Sequence, residues 1–350
     1  MLKAVYFDGT SARTRSDYPD PGAGGESTVS VTLAGICGTD LEMLDGYMSY
    51  RGVPGHEFVG VVERSEAHGT ALVGKRVAGE INVGCGRCGR CQSGMERHCP
   101  ARTVLGIQGR DGAFAERLSL PARNLHYVPD SVSDEQAVFI EPLAAAFEIS
   151  EQVQAAAGSR AAVVGDGRLA QLICQVLRMS HGDVTCFGRH AEKLKMLERF
   201  GISTRLNVGP AEERSEEEEE EEEEERRGNG SNNQGGGTAD GDRQAFDIVV
   251  DASGSVSGFA DAMYLTRPRG TLVLKSTTAS GSGADLTPAV VHEVTLVGSR
   301  CGVFGPAIEA LATGTVQVDH MMDSTFPLDG FGAAVRRSRE GDALKVMLKP

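Results

Sequence analysis

The sequence has no long apolar run and no concentration of positive charge, and both absences narrow its function. No stretch approaches the roughly eighteen consecutive apolar residues of a membrane helix, so we expect no membrane partner. The formal net charge of −14 includes ten glutamates in one run, Glu216–Glu225, so the rest of the chain carries only −4. Without a basic patch to hold a phosphate backbone, we expect no nucleic-acid partner.

The chain also shows no targeting segment in front of its first structural pattern. A strand-like run, Leu2–Phe7, starts at the second residue, which makes a cytosolic location the expectation. With 350 residues and 40% hydrophobic composition, the chain is long enough for two domains, each with its own core. Eight cysteines are present, and clustered cysteines in a cytosolic chain indicate metal binding rather than disulfides.

The first part of the chain, 1–146, has the pattern of an irregular, barrel-like β domain. It is rich in glycine and in short β-like runs such as Ser27–Leu33 and Phe58–Val62. A helix is predicted to begin near Ser133, because Ser133 is a suitable N-cap and Gln136 follows three residues later.

The pattern changes in the segment 147–290, where short apolar strands alternate with amphipathic helices. Ala161–Val164 is a glycine-bounded strand, and apolar residues at helical spacing follow it. The alternation resumes at Phe246–Val250. Such repeated units predict a doubly wound parallel sheet and an α/β fold. The last segment, 291–350, is expected to form the edge of this sheet and then return to the first domain.

An acidic insertion, 210–243, interrupts the alternating pattern. Its glutamates are followed by glycine, asparagine and serine, and such a composition cannot bury enough apolar surface to offset the entropy of ordering. We interpret it as a solvated, disordered insertion; the alternative is a docking segment for a basic partner.

The strongest motif is a four-cysteine lobe in 84–100, with cysteines at 85, 88, 91 and 99. Four thiolates complete a tetrahedral shell around zinc and leave no position for water, so Cys85, Cys88, Cys91 and Cys99 predict a structural zinc site. Glycines between them allow the tight turns that such a lobe needs.

A second set of metal-binding residue types is more dispersed. It comprises Cys37-Gly-Thr-Asp40, Gly55-His56-Glu57 and Glu141-Pro-Leu143. Cysteine, histidine and carboxylate ligands with one exchangeable position make a catalytic zinc site. Taken singly, each triplet has a simpler interpretation, since Cys37 or His56 could be a core residue and Glu141 a helix cap.

A dinucleotide-binding motif opens the alternating segment. Val163–Ala170 reads G-x-G-x-x-A between a strand and a helix, so the helix N-terminus would face a pyrophosphate. Gly165 permits the tight turn, Gly167 allows close approach of the backbone, and Ala170 keeps the helix near the sheet. Arg168 and Leu169 complete the predicted loop.

Cofactor preference is predicted from the end of the next strand, Phe187–His190. NAD-binding sites usually carry an acid there, whereas this sequence has Gly188 and Arg189. Because Arg189 can pair with a 2′-phosphate, we favour NADP over NAD; alternatively, Arg189 stacks on adenine or points to solvent. His190 and Lys193 are candidate supporting cations.

Several of these stretches together resemble the zinc-containing medium-chain dehydrogenase/reductase family of alcohol, sorbitol, threonine and glucose dehydrogenases. The matching pieces, besides the dinucleotide half, are Gly35–Asp40, Gly55–Gly60, Gly74–Val77, the four-cysteine lobe and Asp111–Glu116. The resemblance implies a GroES-like β-barrel catalytic domain followed by a Rossmann domain, and homodimers or homotetramers.

The resemblance also assigns roles to residues. It implies that Cys37 and His56 bind a catalytic zinc, with Glu57 and Glu141 as the carboxylate ligands, giving two zinc ions per chain with the structural one. It makes Thr39 the hydroxyl that passes on the substrate proton and Asp40 the acceptor that fixes the His56 ring. It matches Ser253, Ser299 and Arg300 more loosely to later cofactor-lining segments.

The sequence therefore predicts a zinc-dependent oxidoreductase acting between a secondary alcohol or polyol, or its carbonyl, and NADP or NAD. The substrate itself is not specified. The alternative of another class is a nucleotide-binding redox sensor or scaffold without turnover. A zinc-free quinone or enone reductase conflicts with both zinc motifs.

Overall fold

The structure is a computed structural model, and it describes residues 1–21, 25–65, 67–154, 156, 158–208, 242–275 and 284–350. These residues form two compact units, one comprising Met1–Glu148 with Arg300–Pro350 and the other Ile149–Ser299. The predicted acidic insertion falls outside the described residues except for its last two positions.

The first unit is built mainly from antiparallel strands. In chain order its strands are β1 (Leu2–Phe7), β2 (Ala12–Tyr18), β3 (Ser27–Gly35), β4 (Glu57–Arg64), β5 (Arg76–Gly79), β6 (Asn82–Val83), β7 (Thr103–Leu105), β8 (Gly109–Arg110), β9 (Arg117–Leu120), β10 (Leu125–Tyr127), β17 (Met322–Pro327) and β18 (Lys345–Lys349). Within the described residues the largest sheet has the order β10-β5-β4-β3-β18-β17, and β9 also pairs with β3.

This sheet has a buried apolar interior and one register that positions the candidate site. Val29, Phe58 and Leu348 are among the core residues that it buries. The antiparallel pairing of β3 and β4 places Gly35 opposite Glu57. The residues that follow β3 and those that precede β4 therefore lie side by side.

The second unit contains the parallel sheet that the alternating pattern predicted. Its strands are β11 (Arg160–Val164), β12 (Asp183–Gly188), β13 (Ser203–Leu206), β14 (Phe246–Asp251), β15 (Thr266–Leu274) and β16 (Thr295–Gly298). All five pairings are parallel, and the order across the described strands is β13-β12-β11-β14-β15-β16. This is the strand order of a doubly wound dinucleotide-binding sheet, in which ligands bind at the carboxyl ends of the strands.

Helices connect the strands of both units. They are α1 (Gly38–Leu44), α2 (Gly89–Gln92), α3 (Asp134–Ala137), α4 (Ile140–Gln152), α5 (Arg168–Ser180), α6 (Ala191–Glu198), α7 (Val256–Leu265), α8 (Thr287–Val291), α9 (Phe304–Ala312) and α10 (Phe331–Ser338). Among the helices of the described ranges, none combines the length and the apolar character needed to cross a membrane.

The helix start predicted at Ser133 is confirmed. The Ser133 hydroxyl accepts from the Gln136 backbone N–H, and the Gln136 side chain accepts in return from the Ser133 N–H. The helix is only one turn long, however, and α4 begins anew at Ile140. Pro142 explains the break, because proline is tolerated in a first helical turn but would disrupt a continuous helix at this position.

Candidate metal and cofactor sites

The four cysteines of the predicted structural zinc site lie together. All four Sγ atoms are within 4.8 Å of one another. The Cys88 Sγ atom is 3.5 Å from that of Cys91 and 3.8 Å from that of Cys99. Zinc–sulfur bonds of about 2.3 Å in a tetrahedron would put sulfurs about 3.8 Å apart. These distances fit a shared zinc ion and are far too long for disulfide bonds.

Local backbone geometry explains why this lobe can close. Gly86 and Gly94 have φ angles of +73° and +77°, which side chains disfavour. A Cβ atom on Gly84 would stand 2.9 Å from the Cys91 sulfur. Backbone N–H groups of Arg87 and Cys88 also lower the pKa of the Cys85 thiol to about 6, which favours the thiolate that binds zinc.

Two arginines attach the lobe to the rest of the first unit. The Arg97 guanidinium donates to the Glu148 carboxylate at 2.9 Å and to the Cys301 carbonyl. Arg300 donates to the Asn82 side chain at 3.2 Å and to the Arg97 carbonyl at 3.0 Å. Arg300, predicted from its sequence position as a cofactor-lining residue, is thus placed against the four-cysteine lobe.

Three of the four residues predicted to form the second zinc site lie together. Ligand atoms of Cys37, His56 and Glu57 lie within 4.8 Å of one another. The β3–β4 register accounts for this, since Cys37 follows β3, His56 immediately precedes β4 and Glu57 is its first residue. Glu141, on the first turn of α4, does not belong to this three-residue cluster.

The Asp40 carboxylate contacts the backbone next to the members of this cluster. The carboxylate accepts from the backbone N–H of Cys37 at 2.9 Å and from that of Gly55 at 3.2 Å. The Nδ1 atom of His56 lies 3.4 Å from Asp40 Oδ1, but this contact does not meet the geometry of a hydrogen bond. Both side chains are almost fully buried. Asp40 therefore lies beside the His56 ring, and its role in fixing that ring stays a prediction.

The electrostatics of this cluster favour a cation. Burial lowers the pKa of His56, but the charges of Asp40 and Cys37 outweigh burial and raise it well above its usual value. The same negative groups would stabilise a bound metal ion. Thr39 is half-buried on α1, two residues beyond Cys37.

A lysine that sequence reasoning missed contacts the third member of the cluster. Lys345 Nζ donates to Glu57 Oε2 at 2.5 Å, and both side chains are 1% exposed. Gly35 makes room for this carboxylate, since a Cβ atom there would be 2.6 Å from Glu57 Oε2. No local motif could reveal the pair, because its members are 288 residues apart.

The predicted dinucleotide loop has the conformation that its motif requires. Gly165 has a φ of +113°, and a Cβ atom there would be 2.8 Å from the Ala252 carbonyl oxygen. Gly167 is the N-cap of α5, and Ala170 is fully buried. Arg168 and Leu169 are half-buried in its first turn.

Other predicted cofactor residues lie at the carboxyl ends of the strands. Gly188 ends β12 and is followed by the exposed Arg189. Ser253 follows β14, and its hydroxyl donates to Asp251 at 2.7 Å. The Ser299 hydroxyl follows β16 and accepts from Lys275 at 3.2 Å. These residues therefore lie at the carboxyl ends of the parallel strands, where doubly wound folds bind ligands.

Sequence reasoning also missed a carboxylate at the end of β12. Asp166, in the middle of the glycine motif, accepts from the backbone N–H groups of Arg189 and His190 at 2.8 and 2.7 Å. The segment itself contains no acid, but an acid from the neighbouring loop reaches it. The sequence did contain a signal for this contact, namely the aspartate between the motif glycines Gly165 and Gly167.

Two family models match the chain. The alcohol dehydrogenase GroES-like domain matches residues 23–130, and the zinc-binding dehydrogenase model matches residues 169–314. These matches confirm the predicted GroES-like domain and Rossmann-type parallel sheet.

Relatives with assigned names agree with these models. The starvation-sensing protein RspB of Escherichia coli is 36% identical over 197 residues, which is 55% of this chain and 58% of that protein. The chain thus aligns with little more than half of that relative. A 2-dehydro-3-deoxy-L-galactonate 5-dehydrogenase of Pseudoalteromonas atlantica is 26% identical over 342 residues, covering 95% of this chain and 94% of that protein.

Solved structures show the same fold over the whole chain. A protein assigned as a zinc-binding dehydrogenase from Sinorhizobium meliloti, bound to NADP, has a TM-score of 0.83 at 25% identity, covering 100% of this chain and 99% of that one. The RspB alcohol dehydrogenase from Escherichia coli CFT073, complexed with NADH, has a TM-score of 0.80 at 27% identity, with the same coverage. The chain therefore belongs to the zinc-containing medium-chain dehydrogenase/reductase family of oxidoreductases, which use zinc and a nicotinamide dinucleotide.

Proposed function

We propose that this chain catalyses hydride transfer between a secondary alcohol or polyol, or the corresponding carbonyl, and NADP. The cluster of Cys37, His56 and Glu57 carries this proposal, because a sulfur, an imidazole and a carboxylate within 4.8 Å of one another suit a catalytic zinc. The sugar-acid dehydrogenase among its relatives supports a polyol-like substrate.

The chain's own residues have distinct parts in the proposed mechanism. Zinc, when bound, supplies a Lewis acid that lowers the pKa of a substrate hydroxyl. Cys37, His56 and Glu57 would hold the ion, with Glu141 as a further carboxylate ligand. Asp40 holds the loop between β3 and α1 through the Cys37 N–H and orients His56. The Thr39 hydroxyl would relay the substrate proton.

The decisive experiment combines zinc content with turnover. We expect two zinc ions per chain, one for each cluster. The variants Cys37→Ala and His56→Ala should each lose one zinc and nearly all turnover while keeping the wild-type circular dichroism spectrum. Retained turnover in both variants would refute the assignment. The substrate is to be identified with a panel of alcohols, polyols, sugars and aldehydes and both cofactors.

The proposed preference for NADP rests on Arg189. Its side chain is exposed immediately after β12, where a guanidinium can bind a 2′-phosphate bidentately. Replacing Arg189 with Gln should raise KM for NADP about tenfold or more and leave KM for NAD nearly unchanged. A tenfold preference of the wild-type enzyme for NAD would contradict the proposal.

A second candidate function is nucleotide sensing without turnover. The name of the starvation-sensing relative favours it, although every ligand type that the dehydrogenase chemistry needs is present here. Zinc content separates the two candidates. One zinc per chain and no turnover across the panel would support the sensor, whereas two zinc ions with turnover would exclude it.

We also propose that the protein is a homodimer or homotetramer that associates through an edge of the parallel sheet. β16 is one of the two edge strands of this sheet among the described strands. Apolar side chains on β16 and in the segment before it are exposed by 37% to 77%: Leu286, Val290, Val291 and Leu296. Exposed apolar residues on an edge strand and in the segment that leads to it favour association. Val291→Glu should shift the sedimentation coefficient toward the monomer, whereas Val303→Glu, a 40% exposed control, should not.

A further inference from the structure

A buried carboxylate stands at the turn that follows β12. Asp166 is 6% exposed, although it belongs to the loop between β11 and α5. One of its oxygens, Oδ2, accepts from the backbone N–H groups of Arg189 and His190 at 2.8 and 2.7 Å. The Nδ1 atom of His190 lies 3.0 Å from Oδ1 and 3.1 Å from Oδ2. Three N–H donors from one turn thus converge on a single carboxylate.

Gly188 is what lets the carboxylate reach this turn. A Cβ atom on Gly188 would stand 2.5 Å from Asp166 Oδ2 and 2.6 Å from Asp166 Cβ. Those approaches are too close for any larger residue unless the aspartate moves. The glycine at the end of β12 and the aspartate of the glycine motif are therefore structurally coupled.

The hydrogen bonds limit what Asp166 can offer a cofactor. A carboxylate has about four lone-pair positions, and the protein's own donors engage both oxygens. In NAD-binding sites the acid at this place accepts from the ribose hydroxyls. The Asp166 carboxylate reaches this turn from the loop between β11 and α5, but its acceptor capacity is directed to the backbone and the His190 ring.

The charge of Asp166 must also be compensated if a 2′-phosphate is to bind nearby. Burial raises the pKa of Asp166, but hydrogen bonds from His190 and the charges of His190 and Lys193 outweigh burial and lower it. The group is therefore ionised at neutral pH. The His190 ring, whose Nδ1 atom is 3.0 Å from Asp166 Oδ1, is the closest group of this turn that can carry a compensating charge, and the buried Lys193 and exposed Arg189 are its other cations.

We propose that Asp166 and His190 form a pair that determines how the adenosine ribose of the cofactor is recognised. Asp166 is a positioning residue that fixes the turn carrying Arg189. His190 neutralises Asp166, so that a carboxylate typical of NAD sites is compatible with a 2′-phosphate. This inference rests on the proposed use of NADP, and it adds two specificity residues to Arg189.

The test measures binding of 5′-AMP and 2′,5′-ADP to the full-length, zinc-replete protein by isothermal titration calorimetry. The ratio of the two dissociation constants reports the 2′-phosphate alone. His190→Gln keeps a hydrogen-bond donor but removes the charge, so it should weaken 2′,5′-ADP relative to 5′-AMP by about fivefold, the effect of one partly screened charge. Asp166→Asn in the His190→Gln background should restore the wild-type ratio.

His181→Gln is the matched control, since this histidine also lies in the second unit and bonds to Ser159 at 3.2 Å. Its ratio should equal that of the wild type. The proposed role of the pair is refuted if the ratio of dissociation constants for His190→Gln stays within about twofold of the wild-type ratio. It is also refuted if the ratio for the double variant is no closer to the wild-type value than that of His190→Gln alone. If wild-type protein binds 5′-AMP as tightly as 2′,5′-ADP, the NADP preference fails, while the change in ratio still tests the pair.

Discussion

Lys345 Nζ donates to Glu57 Oε2 within the core of the first unit, and each side chain is 1% exposed. Lys345 begins β18, and β18 pairs with β3, the strand that leads to Cys37. The ion pair therefore connects the last strand of the chain to the candidate zinc cluster. Two buried charges of opposite sign stabilise each other only while both are present.

Replacing Lys345 with Met should destabilise the protein strongly. Removing one partner of a buried ion pair leaves an unpaired charge, which costs about 3–5 kcal/mol. The double variant Glu57→Gln/Lys345→Met should recover much of that loss, because neither charge of the pair then remains. Urea unfolding of wild-type, single and double variants at one zinc concentration measures this. A double variant less stable than Lys345→Met would contradict the coupling.

Replacing Cys99 with Ser should remove one of the two expected zinc ions and lower the unfolding temperature. Cys99 is fully buried, and a structural zinc site contributes directly to folding. Cys301→Ser is the control, because Cys301 lies outside the four-cysteine cluster. Metal analysis and thermal melting should show full zinc and near-wild-type stability for the control. Wild-type zinc content in Cys99→Ser would show that the lobe does not hold the ion.

The sequence was most informative where spacing or periodicity is local. The four cysteines fall within fifteen positions, so one loop brings them together. The strand predicted at Ala161–Val164 differs from β11 by one residue. Parallel strands buried on both faces are continuous apolar runs, and this makes them recognisable without tertiary information.

The remaining parts of the sites depend on contacts between distant segments. The Lys345–Glu57 pair arises from the packing of three strands, and no spacing rule relates its members. Arg300 follows a segment that resembles a cofactor-lining loop, yet its guanidinium contacts Asn82. Asp166 lies in a recognised motif, but its reach to His190 depends on how β11 and β12 pair. The contacts of these side chains depend on which distant segments the folded chain brings beside them, and local sequence patterns do not contain that information.

Replacing Asp40 with Asn should impair the candidate catalytic site without unfolding it. The amide oxygen can accept from only one of the Cys37 and Gly55 N–H groups. The amide also lacks the negative charge that Asp40 places 3.4 Å from the His56 ring. Loss of a group that orients a metal ligand typically costs 10- to 100-fold in metal affinity or activity, and we expect about that loss. Asp45→Asn, at the exposed end of the same helix, should keep full turnover. Wild-type kcat and zinc content in Asp40→Asn would contradict the assigned role.

Replacing Asp323 with Asn should produce a loss of stability that depends on pH. Asp323 binds Arg337 through both oxygens, at 2.9 and 2.5 Å, and this joins β17 to α10. Burial raises the pKa of Asp323, but the hydrogen bonds from Arg337 and Ser324 outweigh burial and lower it. A carboxylate whose folded pKa is lowered stabilises the fold above its unfolded pKa of about 3.9. That contribution disappears as pH falls through the folded pKa.

The difference in unfolding free energy between wild type and Asp323→Asn should therefore be about 1 kcal/mol at neutral pH. It should narrow as pH falls below about 4, because the carboxylate then protonates in the unfolded wild-type chain before it does so in the folded one. Asp342→Asn is the matched control, since Asp342 contacts the same arginine but is 75% exposed; solvent screening should make its effect smaller at every pH. Urea unfolding across this pH range measures both variants. A difference for Asp323→Asn that stays constant, or grows as pH falls, would show that the ionised pair with Arg337 is not its source.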